Sequence, residues 1–297
     1  MNICKYWSAG HITTFFKIAD ISDDLLHKGS CGAGFNIKRG VITEISLTSA
    51  TTHQIYFNDQ KRHHKDALIT IYVINEIEKK INKIIPPLNI KYTFQAPMGA
   101  GYGTSAAAAL TTAFAINDLL EFKLPEIELW QTAHKAEIEN RTGLGDILGL
   151  YSNSKFELRI KEGAPGIGIV KSLKLSIEDY DLYTYSLGPL SKKDILTDPK
   201  KRLIITNKGQ ESFDKLSNNA TLDNFCSIAL DFAKAINLLP QKLWDLLDSL
   251  PKSIKASQIM LGESLYFFVP KGEKFPIIEN INPIKEELTD STIQRLI

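Results

Sequence analysis

Residues 97–110 read Pro97-Met98-Gly99-Ala100-Gly101-Tyr102-Gly103-Thr104-Ser105-Ala106-Ala107-Ala108-Ala109-Leu110. Three glycines follow a strand-like run that ends at Phe94, and good helix formers follow two hydroxyl residues, Thr104 and Ser105. Glycines let a ligand approach the backbone closely, and a helix start carries free N–H groups and a positive dipole end. The pattern therefore predicts an anion site, for which phosphate is the common ligand. The two hydroxyls can either cap the helix or bind Mg²⁺.

The composition indicates a globular protein with a sizeable core. The chain has 297 residues, 43% of them hydrophobic and 23% charged, which is enough for one large domain or two smaller ones. A net charge of +1 leaves no basic excess for nucleic acid, and three scattered cysteines form no disulfide framework. No signal-peptide core is present, and no window reaches the ~20 apolar residues of a membrane span. We therefore expect a soluble cytoplasmic protein that binds neither nucleic acid nor membranes.

Strand and helix signals mix without a regular βαβ rhythm, which predicts an α+β fold. A strand over 3–7 is expected to lead into a turn that holds His11, and 29–34 is expected to be a second glycine-rich turn. Helices are expected over 64–84, 104–120 and 125–140, and later over 191–197, 208–217, 221–235 and 240–249. A loop over 163–168 marks the expected boundary between a domain of residues 1–165 and a domain of residues 166–297.

Glu137 is the candidate metal ligand on the helix predicted over 125–140. At about 100° per residue it falls on the side that carries Trp130 and Ala133, whereas Glu139 falls on a solvated side. A carboxylate on a packed face needs a partner. A metal ion near the predicted phosphate loop, residues 97–107, would be one. The alternative partner is a neighbouring Lys or Arg.

Asp146 and His11 are the candidate catalytic residues. Asp146 lies in a third glycine-rich turn, 142–146, where it can accept or orient the proton of a substrate hydroxyl, or simply cap the next helix. His11 follows the first strand and can hold a substrate carboxylate or phosphate. No Lys follows Gly103 and Thr104, so the loop is not a Walker A motif, and the protein-kinase motifs are absent.

The chain resembles the GHMP small-molecule kinases. Their loop reads P-x3-G-L-G-S-S-A-A, and residues 97–107 keep its proline, glycines, hydroxyl pair and small residues, with Tyr102 for Leu and Thr104 for the first Ser. Residues 9–11 are similar to the P-G-K motif, with His11 in the place of its lysine. Residues 256–263 are similar to the third motif, although only Gly262 of its glycine cluster remains.

The resemblance implies an ATP- and Mg²⁺-dependent kinase with an N-terminal ribosomal-S5-like domain and a C-terminal ferredoxin-like domain. It implies Asp146 as the catalytic base with His11 beside it, and Mg²⁺ between Ser105 and Glu137. The residues implied to bind ATP are Pro97, Gly99, Ala100, Gly101, Gly103, Thr104, Ser105 and Ala106. The candidate acceptor contacts are His11, Ser30, Gly32, Gly34 and Arg141, whose guanidinium can pair with a carboxylate.

Within the family, the segments 10–13, 29–34, 142–146 and 163–166 are most similar to the pantoate kinases of archaea. This implies phosphorylation of the primary hydroxyl of pantoate, a small branched hydroxy acid on the way to coenzyme A. A mevalonate 3-phosphate 5-kinase is the alternative, because the motifs hold ATP and the reacting hydroxyl only. An alternative of another class is a non-catalytic nucleotide or metabolite sensor, against which Glu137 and Asp146 argue. The expected partners are a small-molecule substrate and, as one possible assembly, a second copy of this chain.

Overall fold

The computed structural model describes residues 3–190, 196–275 and 281–297. The strands are β1 Ile3–Ala19, β2 Gly29–Leu47, β3 Gln54–Phe57, β4 Gln60–Arg62, β5 Leu88–Phe94, β6 Phe156–Lys161, β7 Ile169–Leu173, β8 Tyr180–Pro189, β9 Lys255–Ile259, β10 Gly262–Pro270, β11 Ile284–Glu286 and β12 Ile293–Arg295. The α-helices are α1 Leu68–Ile81, α2 Thr104–Leu119, α3 Glu126–Glu139, α4 Asp146–Tyr151, α5 Pro199–Asn218, α6 Leu222–Ile236 and α7 Gln241–Ser249. Short 3-10 helices span Leu25–His27 and His64–Asp66.

The first sheet has eight strands in the order β12-β1-β2-β5-β3-β4, with β6 paired to β2 and β7 to β6. Helix α2 packs on β1 and β2 because its inner surface carries small residues, of which Ala106, Ala107 and Ala109 are completely buried. Helices α1 and α3 pack against α2. The phosphate loop therefore joins an inner strand, β5, to the helix at the centre of this layer.

The second sheet has four antiparallel strands in the order β11-β8-β10-β9. Numbered along the chain within this sheet, the order is 4-1-3-2, which is that of the expected ferredoxin-like domain. An aromatic core joins the two sheets: Phe35 of β2 contacts Phe225 of α6 and both Tyr266 and Phe268 of β10. The expected α+β class, with a ferredoxin-like second half, is confirmed.

Two local expectations were wrong. His11 does not lie in a turn but in the middle of β1, and residues 29–34 form the start of β2, paired with residues 13–19 of β1. The glycines of this segment serve close approach of the strands, because a Cβ at Gly32 would overlap the carbonyl oxygen of Phe15. Register shifts next to Ser8 and Thr13 flank His11 and direct its side chain towards the site.

Two strands that follow residue 165 belong to the first sheet. Strand β7 forms a hairpin with β6, and β12 pairs with β1. The division into two domains stays a proposal. Because β7 pairs with β6, we propose that the first domain extends to Leu173 rather than to residue 165, and that β12 also belongs to it. The helix expected over 191–197 falls mainly on residues outside those that the structure describes.

Candidate active site

The phosphate loop is built on three glycines with left-handed backbone conformations. The φ angles of Gly99, Gly101 and Gly103 are 72°, 91° and 62°, which favour glycine strongly over residues that carry a Cβ. Gly103 is the N-cap of α2 and provides no side-chain cap for the first turn of the helix. Gly103 therefore has no side chain to occupy the N–H groups of this turn, and the anion site there stays a prediction.

The loop is fixed from both sheets. The backbone N–H of His11 donates to the carbonyl oxygen of Tyr102 at 3.1 Å. On the other side, a Cβ at Gly101 would lie 2.7 Å from the carbonyl oxygen of Met260, and a Cβ at Gly262 would overlap Ala100. The one glycine kept from the third motif thus packs directly on the phosphate loop.

A cavity of about 490 Å³ lies along the loop and α2. Among the residues predicted for the site, those in its wall are Gly99, Gly101, Gly103, Thr104, Ser105, Ser30, Arg141 and Asp146. One end of the cavity is lined by the aromatic side chains Phe57, Tyr92 and Phe94 together with residues 65–70. The same cavity therefore contains the uncapped start of a helix, a carboxylate and an aromatic lining.

Asp146 and His11 form a hydrogen-bonded pair at the cavity wall. His11 Nδ1 lies 2.8 Å from Asp146 Oδ1, and the hydroxyl of Thr13 donates to the same oxygen at 3.4 Å. His11 is completely buried, whereas the Asp146 side chain keeps 19% of its surface exposed. Asp146 is therefore the member of the pair that a substrate in the cavity can reach.

A second, wholly buried pair lies behind His11. Glu157 Oε1 is 3.1 Å from His11 Nε2 and accepts a hydrogen bond from Nη1 of Arg159. Burial lowers the pKa of His11, but hydrogen bonds to Asp146 and Glu157 and their negative charges outweigh it, so the pKa of His11 lies above its ordinary value. The site thus contains two carboxylates that share one imidazole.

Glu137 lies on the buried side of α3, as predicted, with 2% of its surface exposed. Its Oε1 accepts a hydrogen bond from the hydroxyl of Thr142 at 2.6 Å. A Cβ at Gly143 would touch Glu137 Oε2 and would lie 2.6 Å from Asp146 Oδ2. Glycine at this position therefore lets an oxygen of each carboxylate pack against the backbone, where a side chain would displace them.

Three comparisons with known proteins show what this chain is similar to. The protein-family model described as the GHMP kinases N terminal domain matches residues 68–153. The pantoate kinase of Thermococcus kodakarensis is 32% identical over 264 residues, which cover 87% of this chain and 85% of that protein. The pantoate kinase of Methanocaldococcus jannaschii is 30% identical over 287 residues, or 93% of this chain and 99% of its own.

This chain belongs to the GHMP kinase family. A solved structure described as a phosphotransferase related to the CoA biosynthesis pathway superposes with a TM-score of 0.82 at 28% identity, covering 99% of this chain and 98% of its own. As a GHMP kinase, the protein is an ATP-dependent phosphotransferase that acts on a small molecule. None of the described helices is long and apolar enough to span a lipid bilayer.

The candidate magnesium ligands of this GHMP kinase lie at different depths: Ser105 is in the cavity wall, whereas Glu137 is buried beside Gly143 and outside the wall. Ser105 and Glu137 offer oxygen ligands, which Mg²⁺ prefers. Among the described residues, no group of three or more His, Cys, Asp or Glu side chains is arranged to hold a metal by itself. An ion here would therefore take its remaining ligands from phosphates and water, which is the usual way in which Mg²⁺ is bound.

Several predicted contacts lie outside the cavity wall. Gly32 and Gly34 are buried in β2 and pack against β1, so their expected role as acceptor contacts is corrected to one of strand packing. Ala100 and Ala106 are buried in the core, and Pro97 is exposed beside the cavity. Arg141 lies exposed in the wall and forms no ion pair with a described residue.

Three residues of the site were missed from the sequence: Thr13, Glu157 and Arg159. The run Phe156-Glu157-Leu158-Arg159-Ile160 alternates as a strand with one solvated face would. Glu157 and Arg159 are nevertheless completely buried, because β6 pairs with β2 and places them against His11. Two opposite charges two residues apart on a strand were the one local signal of a buried pair.

Proposed function

We propose that this GHMP kinase transfers the γ-phosphoryl group of ATP to the primary hydroxyl of pantoate, giving 4-phosphopantoate for coenzyme A synthesis. The observation that carries the proposal is the combination of two pantoate kinases matching nearly the whole chain with a site in which one cavity holds both the phosphate loop and Asp146. The loop accounts for the phosphoryl donor, and Asp146 accounts for the hydroxyl acceptor.

The shape of the cavity supports a definite position for ATP. Its phosphates would lie over residues 97–106, at the uncapped start of α2, where N–H groups and the helix dipole favour negative charge. The adenine ring would lie at the apolar end near Phe57, Tyr92 and Phe94. Mg²⁺, held by Ser105 and Glu137, would neutralise charge on the phosphates.

The protein has to position ATP and the acceptor hydroxyl and to remove one proton from that hydroxyl. The acceptor oxygen forms a bond to the γ-phosphorus while the bond from that phosphorus to the β–γ bridging oxygen breaks, so that ADP leaves. Asp146 takes or orients the hydroxyl proton, and His11 fixes Asp146 by the 2.8 Å hydrogen bond. Oδ1 of Asp146 is held by His11 and Thr13, while Oδ2 lies beside Gly143, which lines the cavity.

The acceptor would lie between Asp146 and the start of β2. The hydroxyl of Ser30 lies in the cavity wall, and a Cβ at Gly145 would touch both Ser30 Oγ and Arg159 Nε. Arg159 is completely buried, pairs with Glu157 and does not line the cavity, so we do not propose it as a partner of the acceptor. Among the described residues of the wall, the cationic side chains are Lys65, which precedes α1, and Arg141. Of these two, Arg141 lies in the loop that leads to Asp146 and would pair with the carboxylate of pantoate.

The test is ATP consumption by the purified protein with pantoate, mevalonate or mevalonate 3-phosphate as the acceptor. The proposal expects kcat/KM to be highest for pantoate by at least about tenfold. Higher kcat/KM on mevalonate 3-phosphate would replace pantoate by the alternative acceptor, and turnover of none of the three would overturn the proposal. The cytoplasmic location and the homodimer stay predictions.

A further inference from the structure

Glu157 is the member of the buried cluster that the proposed reaction does not use. It is completely buried, it lies on the far side of His11 from Asp146, and it does not line the cavity. Its Oε1 accepts from Arg159 and lies 3.1 Å from His11 Nε2. A charge that is fully removed from water in this way is costly unless its partners compensate for it.

A carboxylate oxygen lies within hydrogen-bond distance of each nitrogen of the His11 ring. Nδ1 faces a carboxylate oxygen of Asp146 at 2.8 Å, and Nε2 faces one of Glu157 at 3.1 Å. Nη1 of Arg159 also lies 3.4 Å from Nε2, but it is closer to Glu157 Oε1, to which it donates. A neutral imidazole has one N–H group, so its second nitrogen would direct a lone pair at a carboxylate oxygen. An imidazolium donates to both carboxylates.

The charge balance of the cluster leads to the same protonation state. The charged groups that face His11 are Asp146 from α4 and both Glu157 and Arg159 from β6. Among the described residues, β2 and the phosphate loop bring only glycine and uncharged backbone next to the ring. With an imidazolium the four charges sum to zero, whereas a neutral ring would leave a net negative charge in a buried site.

Two glycines enclose the ring and allow this contact. A Cβ at Gly34 of β2 would lie 2.8 Å from both Glu157 Oε1 and His11 Nε2. A Cβ at Gly149 of α4 would lie 2.6 Å from Cδ2 of the ring. Larger residues at either place would push Glu157 and His11 apart, so the backbone is shaped around their contact.

We propose that Glu157 is a positioning residue for phosphoryl transfer: its buried carboxylate holds His11 as an imidazolium that donates Nδ1–H to Asp146. The proposal rests on the proposed function for its catalytic consequence. Held in this way, His11 fixes the orientation of Asp146, and it places a positive charge beside the reacting groups. The raised pKa of His11, to which hydrogen bonds and charges of both carboxylates contribute, supports the same state.

The decisive experiment is ¹⁵N NMR of the histidine rings in the full-length protein, with the His11 signals assigned from a His11→Asn variant. The expected result for the wild type at neutral pH is protonation of both ring nitrogens of His11. A neutral His11 ring at that pH would overturn the proposal. This readout needs no substrate, so its failure is distinguishable from failure to phosphorylate pantoate.

A variant tests the role of Glu157 itself. In Glu157→Gln the amide keeps the shape but removes the charge, so the His11 titration should move to lower pH by about one unit or more. The alkaline limb of the kcat–pH profile should move with it, while KM for ATP changes little. Glu44→Gln, in which a partly exposed glutamate paired with Lys5 loses its charge, is the matched control and should move neither.

A loss of kcat in Glu157→Gln that is equal at every pH, with the His11 titration unchanged, would contradict the proposal. If Glu157→Gln does not fold, the wild-type NMR measurement still decides it. If His11 is an imidazolium but none of the three acceptors is phosphorylated, the proposed function fails and the assignment of the cluster stands.

Discussion

Asp146 lies at the boundary between the buried cluster and the cavity, and this position defines its chemistry. Its Oδ1 is held from the protein side by His11 and Thr13, while the side chain retains exposed surface. A general base needs a fixed orientation together with access to the substrate, and this residue has both. Glu137, by contrast, is buried, and its Oε1 accepts a hydrogen bond from Thr142.

Asp146→Asn should lower kcat by about 10²-fold or more while leaving KM for ATP nearly unchanged, because the amide cannot accept the hydroxyl proton. Steady-state kinetics with pantoate would measure both constants. Asp59→Asn, at an exposed turn, is the control. Near-normal turnover of Asp146→Asn would remove Asp146 from the role of base.

Glu137→Gln should raise the Mg²⁺ concentration needed for half-maximal activity by roughly tenfold or more, since a charged oxygen ligand is lost. The exposed Glu139, two residues along the same helix, supplies the matched control Glu139→Gln, which should behave as the wild type. Mg²⁺ titrations at saturating ATP would measure the difference. If Glu139→Gln raises the Mg²⁺ requirement and Glu137→Gln does not, the metal ligand was assigned to the wrong carboxylate.

At the scale of elements, the site depends on the junction of β5, the phosphate loop and α2. The sequence predicted this junction because glycines, hydroxyls and helix formers follow each other without interruption. It mispredicted β1 and the start of β2, because the glycines of 29–34 look locally like those of a turn. Their actual role, close contact with Phe15 and His11, depends on a strand pairing that local sequence does not show.

Gly103→Ala should destabilise the fold by about 2 kcal/mol and raise KM for ATP. Its φ of 62° is unfavourable for alanine, and its Cβ would lie 2.9 Å from the carbonyl oxygen of His11. Urea unfolding and steady-state kinetics would measure the two effects. Gly272→Ala has a φ of 89° but no atom within 4 Å of the new Cβ, so it should lose some stability and keep the wild-type KM. Equal KM values in the two variants would contradict this role of the loop.

At the scale of the molecule, an ion pair between a half-buried arginine and a buried glutamate connects the two sheets next to Tyr102 of the phosphate loop. Arg39 of β2 contacts Glu286 of β11 at 2.8 Å, and Thr184 of β8 donates to the same carboxylate oxygen at 2.7 Å. The guanidinium also lies 5.5 Å from the centre of the Tyr102 ring. The catalytic cluster similarly joins residues more than a hundred positions apart, which is why Glu157 and Arg159 could not be predicted from local pattern.

Arg39→Met should cost about 3 kcal/mol of stability, because it leaves the carboxylate of Glu286 buried without its cation. The double variant Arg39→Met/Glu286→Leu should recover most of that loss, since both charges are then removed. Urea denaturation of the two variants and the wild type would measure the free energies of unfolding. A double variant that is less stable than Arg39→Met would show that the pair is not the source of the effect.

The most direct test of the central claim is the proton-coupled ³¹P NMR spectrum of the product made from ATP and pantoate. Transfer to the primary hydroxyl attaches phosphorus to an oxygen on a CH₂ group, so the account predicts a triplet for the new phosphate signal. With Asp146→Asn it predicts that this signal grows at least about 10²-fold more slowly. A doublet, from transfer to the secondary hydroxyl, a singlet, from transfer to the carboxylate, or no new signal would contradict it.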